Sequence, residues 1–307
     1  MKYRLSVLFL TTLLTASAMA EKPRLSFAES DGQLAIYVND QAIASYIYDD
    51  PKILRPYFAH VKTPDGIQVT RNHPPQPGDR NDHATMHPGI WLAFGDISGS
   101  DFWRNKASVT HVGFIQPPAA ERNVGSFIQQ KRYVGAGQSV VCDEEFRVAV
   151  RATDGSYVLF LESIFSSDRE FYFGDQEEMG LGIRVATPIS ELGGGHLTDS
   201  KGRKGAGNIW SNSAAWCDYS GQIDGQNVGM TIMSHPSNFR ESWLHARDYG
   251  LVAANPFGRA AMKKGDTSQV VLKPGETLRL RYAIWIHGKA DRQSIVAMYS
   301  EYAQLGR

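Results

Sequence analysis

The sequence predicts an all-β protein, one large antiparallel β-sandwich with a single helix at its C-terminal end. Three observations carry that expectation. Short runs of alternating apolar and polar residues, rich in β-branched and aromatic side chains, recur along the chain, as a half-buried pleated surface favours. Turn-forming pairs such as Asp31-Gly32 and Asp154-Gly155 separate these runs. Helical periodicity is confined to one stretch near the C-terminus, so no strand–helix alternation calls for a parallel sheet.

The first twenty residues are read apart from the fold. Lys2 and Arg4 precede an apolar run, Leu5 to Leu14, and Ala18-Met19-Ala20 follows as a small-residue cleavage pattern. This is the design of a secretory signal peptide, with an apolar run too short to span a bilayer. Cleavage after Ala20 is expected, leaving residues 21–307 as one periplasmic or secreted domain with no membrane attachment.

Three strands open that domain, "LSFAES", "QLAIYVN" and "AIASYIY", with turns at Asp31-Gly32 and Asp40-Gln41. "SFIQQKRYVG", "VVCDEEFRVAV" and "SYVLFLESIFS" continue the pattern, the last two joined as a hairpin at Asp154-Gly155. "NVGMTIMSH" reads as another strand. "SQVVLKPGETLRLRYAIWIHG" reads as a hairpin turning at Pro274-Gly275, where proline presets φ and glycine supplies the positive φ. The stretch from Asn72 to Asp82 and "GGGHLTDSKGRKGAGN" from Gly193 read as loops within one architecture. Asp291 is placed to cap "RQSIVAMYSEYAQL", whose Ile295, Met298, Tyr299 and Tyr302 share a helical face.

Composition excludes some functions. Formal net charge is zero and no basic stripe is present, so nucleic acid is not an expected partner. Cys142 and Cys217 lack metal-type spacing. A disulfide and two separate buried thiols both remain open.

Three segments hold side chains suited to chemistry. "NDHATMHPGIWLAFGDISGSDFWRNK", residues 81–106, sets His83 and His87 four residues apart beside Asp82. Neutral imidazoles at that spacing suit a metal, acid–base chemistry near neutral pH, or the bonding of a folded loop. Trp91 and Phe94 read as core, and Trp103, beside a charged triplet, as a wall on which a sugar could stack. "GDQEEMGLGIRVATP" carries Glu178 and Arg184, which an extended chain places on one face. "SHPSNFRESWLHARDYGLVAANPFG", residues 234–258, offers His235, Asn238, His245, Arg247, Asp248 and Tyr249 without a strand's alternation. Arginine forks a carboxylate, histidine moves protons, and Asn and Asp hold hydroxyls. The three segments are expected to converge at one end of the sandwich.

Taken in order, "DH…HPG.W..FG..SG.DFW", "E.G.GIR", "W.DYSG", "HP.N.R…H.RDYGL.A.NPFG" and "GE.L.LRY…IHG" resemble the DUF6807 family, also labelled PmoA-like, from about Arg55 to Tyr302. The PmoA-like label implies a membrane copper enzyme, which the leader and the absence of spanning segments contradict. The resemblance implies a sandwich of the galactose-mutarotase-like type and a place in carbohydrate metabolism. It carries over onto His83, His87, Glu178, Arg184, His235, Asn238, His245, Arg247 and Tyr249. Relatives have a more histidine-rich "DHxHHRG" where this chain has "DHATMHPG", so a metal site built on the missing histidine is not expected.

The functional expectation is acid–base chemistry (hydrolysis, β-elimination or epimerisation) on a sugar or oxidised sugar or oligosaccharide, without a cofactor. His83, His87, Glu178, His235 and His245 are the candidate catalytic groups. Trp103, Arg184, Asn238, Arg247, Asp248 and Tyr249 are the candidate substrate contacts. A non-catalytic carbohydrate-binding protein and a metal-dependent sugar enzyme using His83 and His87 are the alternatives.

Overall fold

A computed structural model describes residues 22–306, so the leader reading of residues 1–20 lies outside the described residues. In chain order the strands are β1 (Leu25–Ser30), β2 (Gln33–Val38), β3 (Gln41–Ile47), β4 (Tyr57–Ala59), β5 (Ile90–Phe94), β6 (Ser108–Glu121), β7 (Val124–Val134), β8 (Val140–Thr153) and β9 (Ser156–Ser166). There follow β10 (Phe171–Phe173), β11 (Met179–Arg184), β12 (His196–Asp199), a short helix α1 (Ala206–Ile209), β13 (Trp216–Ile223), β14 (Gln226–Ser234), β15 (Trp243–Arg247) and β16 (Leu251–Asn255). β17 (Val270–Leu272), β18 (Leu278–His287) and α2 (Arg292–Tyr302) complete the chain.

Two eight-stranded antiparallel sheets form the sandwich among the described residues. Their orders are β1-β2-β3-β4-β5-β11-β16-β15 and β12-β13-β14-β18-β9-β8-β7-β6. Between them lies one apolar core, in which Phe94 meets Phe165 edge-on at 5.5 Å and Phe173 at 4.9 Å. Each sheet is also covered on its outer side. On the first, loops bring Ile53 and Trp103 down onto Tyr57, Trp91, Leu251 and Ala253. On the second, α2 lays Ile295 and Tyr302 over Trp216, Met233 and Trp285. Asp291 caps that helix by accepting from Ser294 N–H at 2.8 Å.

Double coverage explains where strand alternation failed as a signal. β15 and β16 pair from Trp243↔Asn255 to Arg247↔Leu251, so the segment that lacks a strand's alternation is a hairpin. Every residue of β16 is buried, which erases the period of two. The segment from Gly193 likewise contains β12 and α1 rather than loop alone. Pro274-Gly275 does form a turn, Glu276 N–H donating to Lys273 C=O at 3.0 Å with Gly275 at φ +81°. The strands on either side then part: β17 pairs with β10, and β18 enters the second sheet between β14 and β9. A turn sets the local reversal of the chain, whereas pairing is decided by where each apolar face finds cover.

The core also holds an ion pair. Lys131 Nζ lies 2.8 Å from Glu144 Oε2, and that carboxylate accepts from Tyr133 at 2.8 Å and Ser163 at 2.6 Å. Cys142 and Cys217 are free buried thiols, each raised well above its ordinary pKa by desolvation and neighbouring carboxylates. No helix among the described residues is long and apolar enough to cross a membrane.

Candidate active site on the outer face of the first sheet

Register places one row of residues across the outer face of the first sheet. Trp91 pairs with Gly182, Gly182 with Ala253, and Ala253 with His245. Strands lie about 4.8 Å apart, so Gly182 and Ala253 form a small-residue floor, with His245 about 10 Å across the sheet from Gly182. The Trp91 indole leans over Gly182, where an added Cβ would come within 2.6 Å of the ring. Glycine is therefore required there for close approach.

His87 stacks on Trp91 at 5.0 Å and an interplanar angle of 10°, and His83 stacks on His87 at 4.8 Å. Three buried arginines hold this loop. Arg55 donates to Met86 C=O at 2.5 Å and Trp103 C=O at 2.9 Å. Arg71 donates to the carbonyls of Asp82 at 2.6 Å and His87 at 3.0 Å. Arg184, from the outer face of β11, grips both Asp82 oxygens at 2.9 and 3.1 Å while its guanidinium lies 4.4 Å from the Tyr249 ring centre. Asp82 also meets His83 Nδ1 at 3.0 Å. Burial alone would raise the Asp82 carboxyl. The bonds from Arg184 and His83, with the Arg184 charge, outweigh it and hold the group below its ordinary value. His87 is lowered too, to about 2, but here burial is the first cause and the charges of His83 and the arginines add to it. It is a neutral imidazole at physiological pH, with Nε2 buried and unpartnered.

The second wall centres on Glu177. Its Oε1 accepts from Trp210 Nε1 at 2.5 Å and Arg247 Nη2 at 2.8 Å, and lies 3.3 Å from His245 Nδ1. Asn255 sets the carboxylate in place by donating to the carbonyls of Gln176 and Glu177 at 2.8 and 3.0 Å. Burial lowers His245 to about 4 against the opposing pull of Glu177. Burial raises Glu177, but His245, Arg247 and Trp210 outweigh it and lower the carboxyl. At neutral pH the site thus presents an ionised carboxylate beside a neutral imidazole and a guanidinium.

The three segments are expected to meet at one end of the sandwich; part of the candidate set does meet, but on the outer face of the first sheet. His83, His87, Arg184, His245, Arg247 and Tyr249 share this face, and Tyr249 joins the two walls through the charges of Arg184, Arg247, Asp82 and Glu177 around it. His235 and Asn238 do not join them. They follow β14 in the second sheet, where Asn238 exchanges bonds with the Arg281 backbone at 2.9 and 2.7 Å and His235 lies against Arg281 at 3.2 Å. Both are engaged in extending the β14–β18 ladder. Trp103 is a further correction, for it is 0% exposed and meets Trp91 edge-on at 5.3 Å behind the histidines. Asp101 folds that loop inward by accepting from the N–H groups of Trp103 and Arg104 at 3.1 and 2.9 Å. Asp248 is exposed at the β15–β16 turn, where its carbonyl accepts from Leu192 N–H. Glu178 is taken by an ion pair with Arg104.

Sequence reasoning passed over Glu177, Trp210 and Asn255. Glu177 precedes β11, so strand alternation has no authority over it, and the doubled glutamate of "QEEMG" was the available signal. No group of three or more His, Cys, Asp or Glu side chains among the described residues is arranged to hold a metal ion.

Comparison with known proteins agrees with the motif reading. The chain matches the family of unknown function DUF6807 over residues 33–300. No curated protein matches it significantly. Among solved structures it is similar to a GH36 α-galactosidase from Geobacillus stearothermophilus, at 11% identity and TM-score 0.42, over 86% of this chain and 41% of that one. A galactose mutarotase-like protein from Lactobacillus casei is similar at 10% identity and TM-score 0.40, over 86% and 100% of the two chains. An α-galactosidase from Lactobacillus brevis is similar at 10% identity and TM-score 0.40, over 85% and 39%. The chain thus spans about two fifths of the length of either galactosidase.

Proposed function

We propose, for a chain that belongs to the DUF6807 family of unknown function, that the outer face of the first sheet carries out proton-transfer chemistry on a sugar or oxidised sugar. The observation that carries this reading is the trio of Glu177, His245 and Arg247 beside a floor of small residues. With His245 Nδ1 turned to Glu177 at 3.3 Å, Nε2 is the ring nitrogen left for a ligand. A neutral imidazole acts as a base through its lone-pair nitrogen. Nε2 takes the proton from the carbon next to a carbonyl or carboxylate, and the C–H electron pair moves onto the adjacent oxygen. Arg247, about one third exposed at 34%, is placed to hold that oxygen. Glu177 stabilises the imidazolium that forms. The intermediate then either expels a β-oxygen, which leaves with the proton now on His245, giving elimination, or takes a proton from water on its other face while His245 releases its own to solvent, giving epimerisation. Both fit these groups better than hydrolysis, since Glu177 is held ionised and both site imidazoles are neutral rather than imidazolium acids. Hydrolysis needs a protonated acid at the leaving oxygen.

The N-terminal leader pattern supports placing this activity outside the cytoplasm, and N-terminal sequencing of protein recovered from cell fractions tests that placement. The activity itself is tested by screening neutral and oxidised sugars and oligosaccharides for turnover. His245→Gln is expected to lower turnover by about 10²–10⁴-fold while leaving affinity within a few-fold. If wild-type protein binds sugars but turns over none, and His245→Gln changes affinity alone, the protein is a carbohydrate-binding module.

A further inference from the structure

The second sheet carries a cavity of its own, lined by both polar and apolar groups. It measures about 740 Å³ and lies between β12, β13 and the start of α2. That volume falls within the roughly 300–1,000 Å³ typical of small-molecule sites. We propose that this cavity is a binding site for a neutral polyhydroxylated ligand, separate from the site on the first sheet.

Asp218 is the reason. It lines the cavity yet is buried, as are Thr231 and His287 beside it. Thr231 Oγ1 donates to Asp218 Oδ1 at 2.6 Å, and His287 Nε2 lies 3.0 Å from the same oxygen. His287 Nδ1 also meets the Gly288 carbonyl at 2.8 Å, which fixes the orientation of the ring. Gly229 admits the imidazole, because a side chain there would collide with it. This support all reaches Oδ1, so the carboxylate is held in one orientation with Oδ2 left for a ligand. A buried, oriented carboxylate bordering a cavity of this size costs desolvation that internal structure does not call for.

The remaining lining selects the ligand class. Glu191 Oε2 is occupied by Ala206 N–H at 2.7 Å, and the Arg292 guanidinium by the carbonyls of Asp199 and Ser200 at 3.0 and 2.6 Å. Available to a ligand are the Asp218 carboxylate as acceptor, the exposed Lys204 ammonium as donor, and the exposed His196 imidazole and the hydroxyls of Thr198 and Ser220 as both. Thr198 pairs directly with Asp218 across the strands, so their side chains share a face. One negative group, one positive group, an imidazole and two hydroxyls match a row of ligand hydroxyls better than a net charge of either sign.

Isothermal titration of the full chain at pH 7 tests this, with glucose, galactose, mannose, maltose and cellobiose as probes and glucuronate and glucosamine as charged controls. At least one neutral sugar should bind, and more tightly than either control. Asp218→Asn should weaken it about tenfold or more, as expected for a hydrogen bond to a charged group. Lys204→Ala, an exposed change that leaves the core intact, should weaken it several-fold. The same sugar should still titrate in Arg247→Ala protein. The proposal is overturned if none of the five sugars binds, if a charged control binds more tightly, if Lys204→Ala leaves affinity unchanged, or if Arg247→Ala alone abolishes binding.

Discussion

His87 should make the protein sensitive to mild acid, and replacing it with glutamine should remove a measurable part of that sensitivity. In an unfolded chain the imidazole takes up a proton near its ordinary value of 6.5, whereas in the folded protein burial and the surrounding arginines delay uptake to about 2. The folded-state value is depressed, so the stabilisation is fully present above pH 6.5 and is lost as pH falls, because only the unfolded state gains a proton. The slope is about 1.36 kcal/mol per pH unit, so lowering the pH from 6.5 to 5 should cost about 2 kcal/mol through this residue alone. Glutamine keeps a polar side chain of similar reach and cannot titrate. His245, His60, His73 and His111 are also lowered, but they are present in both proteins and cancel in the difference. The lowered carboxyls Asp82 and Glu177 lose their contribution only below their ordinary values of 3.8 and 4.5, outside this window. Urea denaturation followed by tryptophan fluorescence at pH 7.5, 6.5, 5.5 and 5.0 gives both profiles. The wild-type curve should fall about 2 kcal/mol further than the His87→Gln curve between the first and last points. Parallel curves would refute the assignment of His87 as a buried neutral ring.

Two further outcomes follow from packing. Gly182→Ala should destabilise the protein by about 1–3 kcal/mol, because the new methyl meets the Trp91 ring and displaces the His87 stack above it; Gly207→Ala, in open space within α1, should be neutral or stabilising in the same thermal melts. Lys131→Met should cost about 3–5 kcal/mol by leaving Glu144 charged and buried, and the Lys131→Met/Glu144→Leu double variant should be less destabilised than the sum of the single changes. Additive losses in denaturant titrations would show that the two groups do not act as a pair.

Local chemistry was legible in the sequence wherever it depended on neighbours along the chain. The hairpin at Asp154-Gly155 is present, with Thr153 paired to Ser156 across it. The Asp291 cap and the apolar face of α2 likewise follow from spacing within a few residues, as do the first three strands. The family too was legible, because long motifs survive in order. The site was legible only as a set of residue types. Whether His235 belongs with His245 depended on which sheet each strand joins, and β14 and β15 join different ones. That Glu177 rather than Glu178 faces His245 was decided by Asn255, 78 positions away, fixing the backbone of the bend. Trp103 looked like a wall because its neighbours are charged, yet the Asp101 turn carries it into a buried layer. Alternation reports one buried face and one wet face. β5, β11 and β16, which carry the floor of the site, are buried on both faces, so their side-chain directions emerge only once both covering layers are in place.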